Sequence, residues 1–173
     1  MIVPFSEINP KTGQSTFFIE KIWECILPRI ADKHGSLCSE QYLQYQQAYL
    51  EKFGKYWDGT GDMWHDPVNP KLHTIRRDEK NRYQPDKLIH PFINNRTKNM
   101  FGFAPPFPVI STQKIEIKHT GFIITVFVDG KDVHQDISEQ IAKNDGFDSL
   151  LDFFKWFDTD YTGKIIHFTE LKY

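Results

Sequence analysis

The chain has 173 residues and a mass of 20.4 kDa, the size of one compact domain. No apolar run approaches the ~20 residues of a membrane helix, and 15 Phe, 7 Tyr and 4 Trp need a core, which excludes a disordered chain. The net charge of -2 excludes a chain basic throughout, yet residues 71–98 carry 8 basic and 3 acidic side chains, against 6 and 9 in residues 1–70 and 7 and 11 in residues 99–173.

That middle segment can form an anion-facing surface on an otherwise acidic protein. The opening MIVPFSEINPKTG has no basic start and no long apolar stretch, so no secretion signal is expected. Two cysteines, Cys25 and Cys38, make no disulfide framework, and a reducing, cytoplasmic setting is the simplest expectation.

In chain order, residues 16–27 predict a helix. Phe18, Ile19, Ile22, Trp23, Ile26 and Leu27 make one apolar stripe, and Pro28 is read as its end. Residues 39–53 predict a second helix, with Ser39 as N-cap, a stripe of Tyr42, Tyr45, Tyr49 and Phe53, and Gly54 as the stop. Residues 57–70, rich in Gly, Asp, Asn and Pro, read as a long loop. Strands are expected at Leu88–Ile93, Val109–Lys118, Phe122–Val128 and Lys164–Phe168. Thr120-Gly121 turns the chain between two of them, and Asp129-Gly130 signals a tight hairpin because both positions favour positive φ. Residues 136–143 and 148–157 read as helices, the second apolar nearly all round and therefore buried.

Several motifs lack a required part. Asp158-Thr-Asp160-Tyr-Thr162-Gly163 imitates the start of a calcium loop, but position 12 is Thr169 instead of a bidentate Glu, so it reads as a turn. His34 and Cys38, with His65, Asp66, His73 and His90, have no structural zinc spacing, and neither metal nor cofactor is expected. Phe101, Phe103 and Phe107, in FGFAPPFP, can stack on bases or tuck into the core.

The most informative segment is Lys71-Leu-His73-Thr74-Ile-Arg76-Arg77. A Thr hydroxyl becomes a nucleophile when a base removes its proton, and a Lys with a lowered pKa can be that base. A nearby cation such as Arg76 lowers a Lys pKa. On a strand Thr74 and Arg76 share a face and Lys71 takes the other, so Lys71 and Thr74 converge only if the chain bends near Leu72–His73.

The K-x-x-T-x-R pattern of Lys71 to Arg76 resembles the hallmark of ASCH domains. Arg82-Tyr83, the Pro85-Asp86-Lys87-Leu-Ile-His90 turn and strand, Arg96-Thr97 and the Asn144-Asp145-Gly146-Phe147 junction resemble later elements of that family in order. The likeness covers about residues 68–173. It implies an α+β, PUA-like small β-barrel over 68–173; residues 1–67 lie outside that common core and read as an added helical extension packed on it. It further implies RNA or modified-nucleotide binding in a basic cleft, with His73, Arg76, Arg77, Arg82 and Arg96 as binding residues.

Some small members of the family are amidohydrolases that deacetylate N4-acetylcytidine with a Lys, a Thr and a Glu. The matching positions are Lys71, Thr74 and Asp145, so the resemblance implies attack by Thr74, proton removal by Lys71 and leaving-group protonation by Asp145. Asp145 stands one methylene shorter than the family's Glu. Other relatives cleave RNA, which would give His73, His90 or His167 an acid or base role. A third reading is a protein-interaction module, docking a partner through an exposed Tyr/Trp patch on residues 16–53. No membrane partner is expected.

Overall fold

This computed structural model describes residues 1–34, 37–57 and 69–173, and their side chains except those of 29–34 and 37–39. The elements in chain order are β1 (Ile2–Pro4), α1 (Phe18–His34), α2 (Leu37–Phe53), β2 (His73–Arg76), β3 (Leu88–Ile93), β4 (Phe101–Gly102), β5 (Phe107–Pro108), β6 (Ser111–Thr120), β7 (Ile123–Val128), β8 (Lys131–Asp132), α3 (Gln135–Asn144), α4 (Leu150–Trp156) and β9 (Tyr161–His167). The fold is mixed α+β, with four helices and two sheets among the described residues. No described helix is long and apolar enough to cross a membrane.

The chain packs as two units, Met1–Pro70 with Leu88–Phe107, and Lys71–Lys87 with Pro108–Tyr173. Residues 88–107 therefore belong with the leading helices, whereas the sequence reading divides the chain at 67/68. Each unit holds one open sheet. The strand orders are β1-β3-β4 with β5 on β3, and β2-β9-β6-β7-β8. A closed barrel, expected from the resemblance, is not formed by the described strands, because each sheet ends in strands that pair on one side only.

In the first unit, β1 pairs in parallel with β3, Ile2 opposite His90. The α1 stripe is buried as read from its spacing, with Ile22, Trp23 and Ile26 inside. Pro28 does not end α1, which continues to His34. Pro28 is exposed, so solvent can satisfy the carbonyl one turn earlier that loses its N–H partner. Trp23 meets Tyr42 and Tyr45 edge-on at 5.1 and 5.7 Å, and Tyr49 meets Trp57 at 5.5 Å and Phe101 at 5.6 Å. Trp23, Tyr49 and Trp57 are buried and Tyr42 and Tyr45 half-buried, so these rings pack into the unit's core. Phe103 and Phe107 are also buried, which is the tucked alternative for that loop. Ser39, read as the N-cap of the second helix, instead lies inside α2, which begins at Leu37; residues 58–68 of the 57–70 loop lie outside the described residues.

The second unit is a five-stranded antiparallel sheet carrying α3 and α4. Alternation explains β6, where Gln113, Ile115 and Ile117 are buried between exposed or half-exposed neighbours. Asp129 and Gly130, at φ 50° and 80°, make the short turn from β7 to β8, as the dipeptide predicts. At Gly163 on β9, a Cβ would lie 2.6 Å from the Arg76 carbonyl oxygen and 2.7 Å from the Tyr161 ring. Only glycine lets β9 approach β2 this closely, in the register that sets His73 opposite His167 and Thr74 opposite Ile166. That register positions the candidate site.

Candidate functional site

The second unit joins the lead-in of β2 to the end of α3. Leu72 N–H donates to the Asn144 carbonyl at 2.8 Å, and the Leu72 carbonyl accepts from Phe168 N–H at 2.9 Å. These two bonds bring Lys71 against Asp145, the residue that caps α3. Lys71 Nζ donates to Asp145 Oδ1 at 2.7 Å and also to the Asp145 backbone carbonyl. His73 Nδ1 lies 3.6 Å from the same carboxylate oxygen. Relative exposure is 1% for Lys71, 0% for His73 and 4% for Asp145, so the cluster is sealed from bulk water.

A carboxylate at a helix C-terminus faces the negative end of the helix dipole. Burial also works to raise the Asp145 pKa, but the charge of Lys71 and the hydrogen-bonding approach of His73 outweigh both, and the carboxyl is held below its ordinary range. Burial lowers the His73 pKa despite Asp145, so His73 is neutral. Its other nitrogen, Nε2, lies 2.9 Å from Tyr173 Oη. Burial pushes the Tyr173 phenol upward, and Asn144 Nδ2 donates to that oxygen at 2.8 Å.

One assignment of protons satisfies these contacts. Lys71 donates to Asp145, His73 carries its proton on Nδ1 facing Asp145, and Tyr173 donates to His73 Nε2 while accepting from Asn144. Gln113 extends the network. Its Oε1 accepts from Tyr173 N–H at 2.9 Å and from His167 Nε2 at 3.1 Å, and its Nε2 donates to the Tyr173 backbone oxygen at 2.8 Å and to Asp129 at 3.0 Å. Burial, with the charges of His73 and Lys172, lowers the His167 pKa to about 3.

Two of the three candidate catalytic residues thus meet. Thr74 is buried, and the pleat sends it and Arg76 to the sheet face opposite His73 and Ile75. The lead-in to β2 stays in register with the segment after β9 through the Leu72–Phe168 bond. The Arg76 guanidinium is turned inward, and burial lowers its pKa against the opposing pull of Asp145, Tyr83 and Tyr161.

Arg77 and Arg82 are exposed, lying 5.4 Å over the Tyr161 ring and 5.8 Å over the Tyr83 ring. Arg77 edges an open depression of about 520 Å³ that also holds Lys114 and Lys164, but Asp78, Glu79 and Asp160 balance their charge. Arg96 is exposed and belongs to the other unit. The four arginines therefore do not form one basic cleft within the second unit.

Tyr173, Gln113 and Asn144 are members of the site that sequence reasoning did not single out. Asn144 adjoins Asp145, the one local signal available. Tyr173 and Gln113 meet across 60 positions with no spacing to announce it. Among the described residues, no group of three His, Cys, Asp or Glu side chains can hold a metal ion. The side chains of His34 and Cys38, and all of His65 and Asp66, lie outside the described residues. No family model, no characterised protein and no solved structure matches this chain.

Proposed function

We propose that this chain is a PUA-like domain of the ASCH type that binds RNA or a modified nucleoside, and that the Lys71–Asp145–His73 cluster is the centre of its ligand site. One observation carries the reading. Lys71 and Asp145, 74 positions apart and both singled out by the resemblance, lie in buried contact at 2.7 Å. The cluster gathers a carboxylate, an ammonium and a neutral imidazole, the kinds of donor and acceptor that read the polar edge of a base. Arg77 and Arg82 extend the reading toward RNA, since a guanidinium beside an aromatic ring suits a phosphate and a stacked base together.

Calorimetric titration with cytidine, N4-acetylcytidine and a short single-stranded RNA tests this. The control is the Lys71→Met/Asp145→Leu double variant, which keeps the volume and removes both charges. Losing hydrogen bonds to charged groups is worth about 1.5–3 kcal/mol, so the double variant is expected to bind at least tenfold more weakly. RNA affinity is expected to fall with added salt. No binding by the unmodified protein, or equal binding by both proteins, would contradict the reading.

A second reading, hydrolysis of the acyl amide, is favoured by the chemistry of the pair. In its ionic form Lys71 is an ammonium and Asp145 a carboxylate. Transfer of one proton across the 2.7 Å contact gives a neutral amine, which is a base, and a carboxylic acid, which protonates a leaving amine. Water attacks the acyl carbon as Lys71 takes its proton. The C–N bond breaks as Asp145 protonates the leaving N4, and the carboxylic acid and cytidine depart with the pair again ionic. This route does not need Thr74. Turnover of N4-acetylcytidine that survives Thr74→Ala and vanishes in Lys71→Ala supports it. Loss in both variants assigns the nucleophile to Thr74, and no turnover by the unmodified protein leaves a binding module.

A further inference from the structure

The segment after β9 places a ring of the protein's own against the cluster. Residues 169–173 form neither helix nor strand, and Glu170 and Lys172 are exposed. Tyr173 is half-buried, as is Asn144, whereas His73 and His167 are buried. Its ring meets His73 edge-on at 5.6 Å and 88°, and lies at 5.9 Å and 41° to His167. Its hydroxyl accepts a hydrogen bond from Asn144 and, in the proton assignment above, donates one to His73, and its backbone amide and carbonyl are clasped by Gln113. His167 Nδ1, buried in the same site, has no hydrogen-bond partner, and His73 Nδ1 has only its 3.6 Å approach to Asp145, which is uncommon for buried polar atoms.

We infer that Tyr173 occupies the site of a pyrimidine ring, and that a pyrimidine nucleoside binds by displacing it from between Asn144, His73 and His167. The inference rests on the nucleoside reading above and names both its base class and its resident competitor. Asn144 Nδ2 is a donor, and neutral His73 Nε2 is an acceptor. A pyrimidine presents an acceptor next to an N–H donor along its Watson–Crick edge, N3 beside the N4 amine in cytosine or O4 beside N3–H in uracil. The phenol hydroxyl supplies both functions from a single oxygen on a ring of similar width. Side chains, and not a strand ladder, hold Tyr173. A segment tied in this way opens locally at low free energy.

A competitor inside the site lowers apparent affinity by the fraction of time that the site is filled. Calorimetry with cytidine as the probe reads this directly in the full chain and in two variants. Tyr173→Ala removes the ring, and Gln113→Ala keeps the ring but loosens its clasp. Binding about tenfold tighter in both variants is expected. Cytidine binding that is unchanged or weaker in both would overturn the competitor while leaving the nucleoside reading intact. p-Cresol separates the remaining case. If it fills the Tyr173→Ala site while cytidine binds none of the three proteins, the variant is folded and the nucleoside reading itself falls, taking the competitor with it.

Discussion

Replacing Asp145 by Leu with Lys71 left in place is expected to destabilise the protein by about 3–5 kcal/mol, because it strands a buried ammonium. Lys71→Met alone is expected to cost a similar amount by stranding the carboxylate. The double variant should recover most of the loss, since an ion pair removed from water is seldom more stable than apolar groups of the same volume. The contact is short, at 2.7 Å, and both partners are almost fully buried, so desolvation is large on each side. Denaturant unfolding of the four proteins closes the cycle and gives the coupling energy. A double variant as unstable as the sum of the singles would mean zero coupling energy, so that Lys71 and Asp145 contribute independently and not as a pair. Recovery of stability together with lost ligand binding would mean that the ion pair is retained for what it binds.

Acid should weaken the protein well before its carboxylates titrate. The folded-state pKa values of His73 and His167 lie below the ordinary 6.5, that of His167 at about 3. As pH falls below 6.5, the unfolded chain takes up protons that the folded one refuses, so stability falls with pH. The loss continues until the pH passes through the folded-state pKa. Each histidine contributes a slope of about 1.4 kcal/mol per pH unit, and the pair twice that. The rings lie 5.4 Å apart, centre to centre, so charging one makes charging the other harder. Asp145 behaves with the same sign in a lower window. Its pKa is lowered in the fold, so its contribution is full above the ordinary 3.8 and is lost as pH falls below that value. Urea unfolding at pH 7.5, 6.5 and 5.5 should show stability falling through the range, and His167→Gln should remove about half of the slope. A flat profile from 7.5 to 5.5 would mean that the two rings are not held neutral.

How far the sequence reaches is clear from individual elements. β6 and β7 are legible because apolar and polar residues alternate along a half-buried sheet, and Asp129-Gly130 marks the turn into β8. The two-residue strands β4 and β5, and β1, a three-residue parallel strand, are too short to carry a period. α1 runs past Pro28 because tertiary packing of Trp23 and Ile26 outweighs one missing hydrogen bond at an exposed position. The grouping of 88–107 with the leading helices depends on contacts such as the Phe101 ring meeting Tyr49 and the Phe103 carbonyl accepting from the Trp23 indole N–H, which local pattern does not encode. Within the site, the resemblance pointed to Lys71 and Asp145, and the fold brings them together. It carries no signal for the inward turn of Arg76. Gln113, His167 and Tyr173 come together only through the β6–β9 register, so no spacing in the chain connects them.

The most direct test is a titration of ¹⁵N-labelled protein with cytidine, following the side-chain amide resonances of Asn144 and Gln113 beside those of the arginine guanidinium groups. Asn144 should move because it exchanges the Tyr173 oxygen for the base, and Gln113 because its clasp on Tyr173 is released. Saturable shifts at both amides, with a common dissociation constant, are the expected result. Shifts confined to Arg77 and Arg82, or no shift at saturating cytidine, would contradict a ligand site built on the buried cluster.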